Sequence, residues 1–185
     1  MNTNWSGGKD AGAIYSTNCA CIVNIPDANF KSALVSDFSI NTNEDGEIQC
    51  AEAIAYTGTI NVNSLGISDL TGIEAFTNLT GLDCSTNNLT ALDISYNTFL
   101  QTINCAVNSI TNLAFTGNSN VQQLIIGNNL IPGSINLTGC TNMFNLNCAN
   151  NLFTSLTLVS SINLSMLQCQ GNALTSLDVS NNTGL

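Results

Sequence analysis

The sequence predicts an α+β solenoid, in which coils of about 21 residues stack into a parallel β ladder behind an N-terminal helical cap. Leu79, Leu100, Val121, Met143, Leu164 and Leu185 open successive segments at spacings of 21, 21, 22, 21 and 21 residues. Within the segments the pattern L-x-x-L-x-C-x-x-N-x-L returns five times, first as Leu79, Leu82, Cys84, Asn87 and Leu89. The chain of 185 residues also holds thirty asparagines, while only 8% of its residues are charged. A surface built from amides, hydroxyls and glycine is the composition of a repeat, since a fixed period of 20 to 50 residues marks one stacked unit per copy.

Residues 1–24 carry Gly, Ser, Asn and Thr without periodicity and read as a linker or the remnant of an upstream segment. Residues 25–57 read as a helix-loop-helix cap. From Ile25 to Phe38, Pro26 suits a first helical turn, and Phe30, Leu34 and Phe38 recur at four-residue steps on one face. The stretch from Asn41 to Glu52 has the spacing of an EF-hand loop, with Asn41, Asn43, Asp45, Glu47 and Glu52 at positions 1, 3, 5, 7 and 12 and Gly46 at position 6. Calcium, which takes oxygen ligands, is the cofactor this pattern calls for, with the weak affinity of extracellular modules, and since Asn41 stands where Asp is usual the charge facing the ion falls to Asp45 and Glu52. An acidic solvated turn leading into a short helix over Glu52–Tyr56 is the alternative.

Residues 58–185 form the solenoid. The second copy is Leu100, Ile103, Cys105, Asn108 and Ile110, and the third is Val121, Leu124, Ile126, Asn129 and Ile131. Met143, Leu146, Cys148, Asn151 and Phe153 follow, then Leu164, Leu167, Cys169, Asn172 and Leu174. The L-x-C triplet is a short strand with both apolar side chains inward, stacked about 4.8 Å from the next copy. The Asn turns the chain and satisfies backbone groups inside the coil. A second apolar pair, such as Leu92 and Ile94, or Leu113 and Phe115, fills the opposite wall. The one-residue excess of the third copy falls at Pro132 and Gly133, a natural loop insertion.

This pattern resembles the leucine-rich repeat family, with Cys often replacing the third Leu. The stretch Leu65, Ile67, Ser68, Asp69, Leu70, Thr71, Gly72 and Ile73 resembles the entry repeat of internalin-like bacterial proteins. The segment from Leu89 to Leu100 is similar to repeats of bacterial surface proteins exported by the type IX route. The resemblance covers about residues 57–185 and implies a secreted or cell-surface, non-catalytic binding or adhesion module. No apolar leader core occurs in the first ten residues, and the pattern breaks off at the repeat opening Leu185 without a capping segment. Both ends therefore read as those of a piece of a longer protein.

Eight cysteines are present. Cys84 and Cys105, and Cys148 and Cys169, neighbour each other in one ladder and read as core filling, because free Cys packs as a small hydrophobe and in-register parallel strands fit disulfide geometry poorly. Cys50 is expected to pair with either Cys19 or Cys21 if the protein is exported. Cys140 sits at a turn without a partner.

The net charge is −10, and Lys9 and Lys31 are the only basic residues, which argues against nucleic acid and an anionic membrane surface as partners. No apolar run is long enough to span a membrane. The absence of His removes Ser-His-Asp and Cys-His catalysis, and beyond Leu79 only Asp83, Asp93 and Asp178 are charged, so no enzyme site is expected. The expected partner surface is the outward row of the ladder: Asp83, Asn104, Ile125, Asn147 and Gln168. Without aromatic platforms in this row or its neighbours, a protein or peptide partner is favoured over a glycan. A passive spacer that displays another domain is the competing reading.

Overall fold

The computed structural model describes residues 21–115 and 117–185. The linker expected over 1–24 and the Cys19 pairing therefore fall largely outside the described residues. Residues 21–24, assigned to that linker by composition, instead join the cap. Ile22 bridges Gln49 in antiparallel fashion, Val23 N–H donates to Ile48 O at 2.8 Å, and a disulfide links Cys21 to Cys50.

Helix α1 spans Ala28–Val35. It is shorter than the sequence pattern suggests. Asp27 is its N-cap, its Oδ1 accepting from Asn29 and Phe30 N–H at 3.0 Å, so Pro26 lies outside the helix. Phe30 and Leu34 are buried, but Phe38 falls beyond the helix end and is 71% exposed, and Ile40 takes the inward place. Asp27 Oδ2 also accepts from Ser68 N–H at 2.9 Å and Ser68 Oγ at 3.0 Å, which ties the cap to the first coil. Helix α2 spans Cys50–Ala55, beginning earlier than expected, with Gln49 and Glu52 forming a reciprocal capping box.

Among the described residues ten strands follow: β1 (Thr59–Asn61), β2 (Gly81–Asp83), β3 (Ala91–Asp93), β4 (Thr102–Asn104), β5 (Asn112–Ala114), β6 (Gln123–Ile125), β7 (Pro132–Asn136), β8 (Asn145–Asn147), β9 (Leu152–Thr157) and β10 (Met166–Gln168). The main sheet is parallel, in the order β1-β2-β4-β6-β8-β10, and its register aligns Ile60, Leu82, Ile103, Leu124, Leu146 and Leu167. Leu82, Ile103, Leu124 and Leu146 are buried beside Cys84, Cys105, Ile126 and Cys148. Leu167 and Cys169, in the last coil of the chain, are half-buried. The strand β1 adds a copy that the Asn pattern does not reveal: Ile60 and Val62 occupy the inward places, but Leu65 stands where later coils have Asn.

Each repeat Asn bonds two coils. Asn129 Nδ2 donates to Cys105 O of the preceding coil at 3.0 Å and to Ile126 O and Gly127 O of its own at 3.1 and 3.4 Å, while its Oδ1 accepts from Ile110 N–H at 3.0 Å. Asn87, Asn108, Asn151 and Asn172 repeat this arrangement. To present its carboxamide there, the residue before each Asn is left-handed: Thr86, Val107, Asn128, Asn150 and Gly171 have φ of 56, 58, 55, 54 and 69°.

The opposite wall carries β3 paired with β5, and β7 paired with β9. Pro132 and Gly133, expected in a loop, lie within β7. The irregularity is a register shift between Gly133 and Ser134, where Thr154 of β9 is left over and its Oγ1 donates to Gly133 O at 3.1 Å. A second row of turn residues closes this side: Asn97 Nδ2 donates to Ile73 O and Phe76 O, Asn118 Nδ2 to Ile94 O and Asn97 O, and Asn182 Nδ2 to Leu158 O and Ser161 O.

Val107 is β-branched, 49% exposed and left-handed, the costliest occupant of that turn position. Val107→Asn is expected to raise unfolding stability by about 1 kcal/mol, measured by denaturant titration at unchanged slope.

Candidate functional site

The outward face of the main sheet is the largest regular surface on the solenoid. In a strand of three residues whose middle one points inward, the first and third point outward. The third residues give the expected row, extended at the front by Asn61: Asp83, Asn104, Ile125 and Asn147 are half-buried, and Asn61 and Gln168 are exposed. The first residues give a parallel row of Thr59, Gly81, Thr102, Gln123, Asn145 and Met166. The register places all five expected residues side by side, as the spacing implied.

Within the row, Asp83 Oδ1 accepts from Ser85 N–H at 3.0 Å and Ser85 Oγ at 2.6 Å, and Asn104 Nδ2 donates to Asp83 Oδ2 at 3.2 Å. Asn104 and Asn147 each turn Oδ1 back to the N–H two residues on, Ala106 at 3.2 Å and Ala149 at 3.1 Å. These local bonds hold the side chains upright on the face. A hollow of about 280 Å³ lies over its front half, lined by Thr59, Asn61, Asp83, Thr102, Asn104, Gln123 and Ile125 among others. The sequence reading missed the contribution of β1, Thr59 and Asn61, to this face. The TIN triplet at Thr59–Asn61, repeated at Thr102–Asn104, was the signal available.

The loop from Asn41 to Glu52 brings together some of its expected ligands and draws others away. Asn43 Nδ2 and Gln49 Nε2 donate to Asp45 Oδ2 at 2.9 and 2.8 Å, and Glu47 N–H donates to Asp45 Oδ1 at 2.8 Å. Glu52 Oε1 accepts from Thr42 N–H, Thr42 Oγ1 and Asn43 N–H, and its Oε2 from Gln49 N–H. Burial pulls the Glu52 carboxyl upward, but these donors, led by Gln49 N–H, hold it below its ordinary value. The Glu47 carboxylate pairs instead with Lys31 Nζ at 2.7 Å. Asn41 is 2% exposed, its Nδ2 donates to Val35 O and Asp45 O, and its Oδ1 has no partner. Among the described residues no three His, Cys, Asp or Glu side chains converge as a metal cluster, and the loop's candidate oxygens form no closed ring.

Three ladder cysteines, Cys84, Cys105 and Cys148, are buried. Burial pushes the Cys105 and Cys148 thiols up to about 12 and raises Cys84 well above its ordinary value. Cys84, Cys105, Cys140, Cys148 and Cys169 are free.

No family model matches the chain. Internalin J of Listeria monocytogenes serotype 4b (strain F2365) is 37% identical over 73 residues, which are 40% of this chain and 8% of that protein. The chain thus spans a small part of the length of the relative it matches. Among solved structures, the functional domain of internalin J from Listeria monocytogenes, which includes a cysteine ladder, is 25% identical over 86% of this chain and 44% of its own, with a TM-score of 0.47. The BIR2 ectodomain from Arabidopsis thaliana is 19% identical over 62% of this chain and 66% of its own, with a TM-score of 0.51, a likeness of fold alone. The chain is a parallel β-solenoid with coils of about 21 residues, and 73 of its residues are similar in sequence to internalin J.

Proposed function

We propose that this chain is a non-catalytic binding module of a secreted or surface-exposed bacterial protein, and that its main-sheet face contacts a protein or peptide partner. The observation that supports this reading most is the face itself. Six strands in register present two continuous rows, mostly amides and hydroxyls interrupted by Gly81, Ile125 and Met166, with Asp83 the one charge in them. Such a surface hydrogen-bonds along its whole length but lacks the carboxylate pair, nucleophile or base that catalysis needs. The Cys21–Cys50 disulfide suits an oxidising compartment. Among the described residues no helix is long and apolar enough to cross a membrane.

The probes for this reading are a displayed random-peptide library and a glycan array. Peptides selected on the protein are expected to lose at least tenfold in affinity to an Asn104→Lys, Asn147→Lys double variant of unchanged melting temperature. Equal retention would move the contact off this face, strong glycan binding would reverse the choice of partner, and failure to select any binder would favour a passive spacer.

A second reading concerns calcium, supported by the unpartnered, buried Asn41 Oδ1 at the first loop position. Asn41, Asn43, Asp45 and Glu52 would hold the ion, with a backbone carbonyl supplied by Glu47, after the present N–H donors yield their carboxylates. Millimolar calcium is expected to raise the melting temperature, and Asp45→Ala is expected to abolish that rise. Glu52→Gln is expected to abolish it too, at a lower starting temperature because the capping box is weakened. No heat signal in calorimetry at millimolar calcium would leave the loop as a hydrogen-bonded turn.

A further inference from the structure

The front half of the sheet face is not uniform. In the outward row Thr59, Gly81, Thr102, Gln123, Asn145, Met166, the glycine is flanked by two threonines whose hydroxyls close over it. A Cβ built on Gly81 would collide with Thr59 Oγ1 and would come within 2.9 Å of Thr102 Oγ1. Gly81 thus lets two hydroxyl oxygens, one from each neighbouring strand, converge above the middle strand. On the same face, two residues further along that middle strand, stands Asp83. The hydrogen bonds inside this hollow are those of Asn61 with Asn63, of Asp83 with Ser85 and Asn104, and of Asn104 with Ala106. The hydroxyls of Thr59 and Thr102 stand outside them. Asp83 Oδ1 is occupied twice over by Ser85, whereas Oδ2 receives a single long bond from the Asn104 amide.

Charge narrows the occupant. The chain has a net charge of −10, and Lys31, the one basic residue among those described, is engaged by Glu47 at the far side of the cap. Among the described residues no cation therefore neutralises Asp83 on the face. The hollow of about 280 Å³ is at the low end for a small ligand and matches a single inserted side chain. We propose, resting on the reading of this face as a binding surface, that the hollow is the anchor site for one lysine side chain of the protein or peptide partner. The ammonium group carries three donors and no acceptor. Its donors face Asp83 Oδ2, Thr59 Oγ1 and Thr102 Oγ1, and its methylene stem crosses Asn104 in the direction of Ile125, the half-buried apolar residue of the lining. The planar guanidinium of arginine, built for bidentate pairing, finds only one carboxylate oxygen with room for a further donor here and fits less well.

The test is a titration of the isotope-labelled whole chain, followed by amide resonances, with three blocked pentapeptides: Ala-Ala-Lys-Ala-Ala and its counterparts with Arg or Gln at the centre. The Lys peptide is expected to shift Thr59, Gly81, Asp83 and Thr102 saturably, the Arg peptide several-fold more weakly, and the Gln peptide not at all. Asp83→Asn, which keeps the Ser85 turn, is expected to weaken the Lys peptide at least tenfold. Gly81→Ser, which drives the two hydroxyls apart, is expected to do likewise, with the dispersion of both spectra confirming the fold. Shifts confined to the cap carboxylates, or undiminished in Asp83→Asn, would overturn the proposal. If that happens while library-selected peptides still depend on Asn104 and Asn147, the lysine anchor fails and the binding face stands. If neither probe touches the face, both fall.

Discussion

The structure depends on one interaction, the asparagine carboxamide that spans two coils. A chain turning sharply every 21 residues points carbonyl groups into the coil, where water cannot reach them, and a buried carbonyl without a donor costs about 1–3 kcal/mol. The carboxamide of Asn129 answers three such carbonyls and one N–H at once, two of its four bonds reaching the preceding coil. No other side chain offers two donors and an acceptor on so short a stem. The repetition of this residue therefore sets the period, and the period sets the parallel register that lines up the inward Leu and Cys and the outward amides. The left-handed residue before each Asn is the backbone consequence of the same demand.

From this follows the character of the surface. Because the coils are closed by amides and packed by apolar ladders, charge is not needed to hold them, and the carboxylates gather in the cap, where hydrogen bonds engage several of them. Asp27 ties the first helix to the first coil, and Glu52 serves the capping box of the second while accepting from Thr42 and Asn43. The sheet face is left nearly neutral, and a solitary Asp83 there is a local event rather than part of a field. The same burial that makes Cys84, Cys105 and Cys148 good filling raises their thiols and disfavours the reactive thiolate.

The solenoid was legible in the sequence because its cause is periodic: Leu, Cys and Asn recur at the positions where the structure buries them, and the outward row follows by parity. The first strand was less legible, since Leu65 replaces the Asn that marks every later turn. The helix was overextended because Phe38 continues a four-residue spacing that chain geometry ends at Val35, beyond which Ile40 packs inward. At Pro132 and Gly133 turn-forming residues suggested a loop, but both lie within β7, and the register shift beside them leaves its unpaired residue, Thr154, on the partner strand β9. The ligand spacing of the cap loop could not reveal that Glu47 is drawn to Lys31, a contact between elements far apart in sequence. Nor could it reveal that the two threonines converge over Gly81, which needs the register of three strands.

The most direct test of the central claim is the unfolding free energy of Asn129→Asp beside Asn129→Ala. The aspartate keeps the shape and the acceptor for Ile110 N–H but turns a second oxygen toward Cys105, Ile126 and Gly127 carbonyls. If the carboxamide bond network governs the fold, Asn129→Asp loses about 3 kcal/mol or more at neutral pH and is the worse of the two variants. A loss within about 0.5 kcal/mol of the unmodified protein, or a milder effect of Asp than of Ala, would contradict the account.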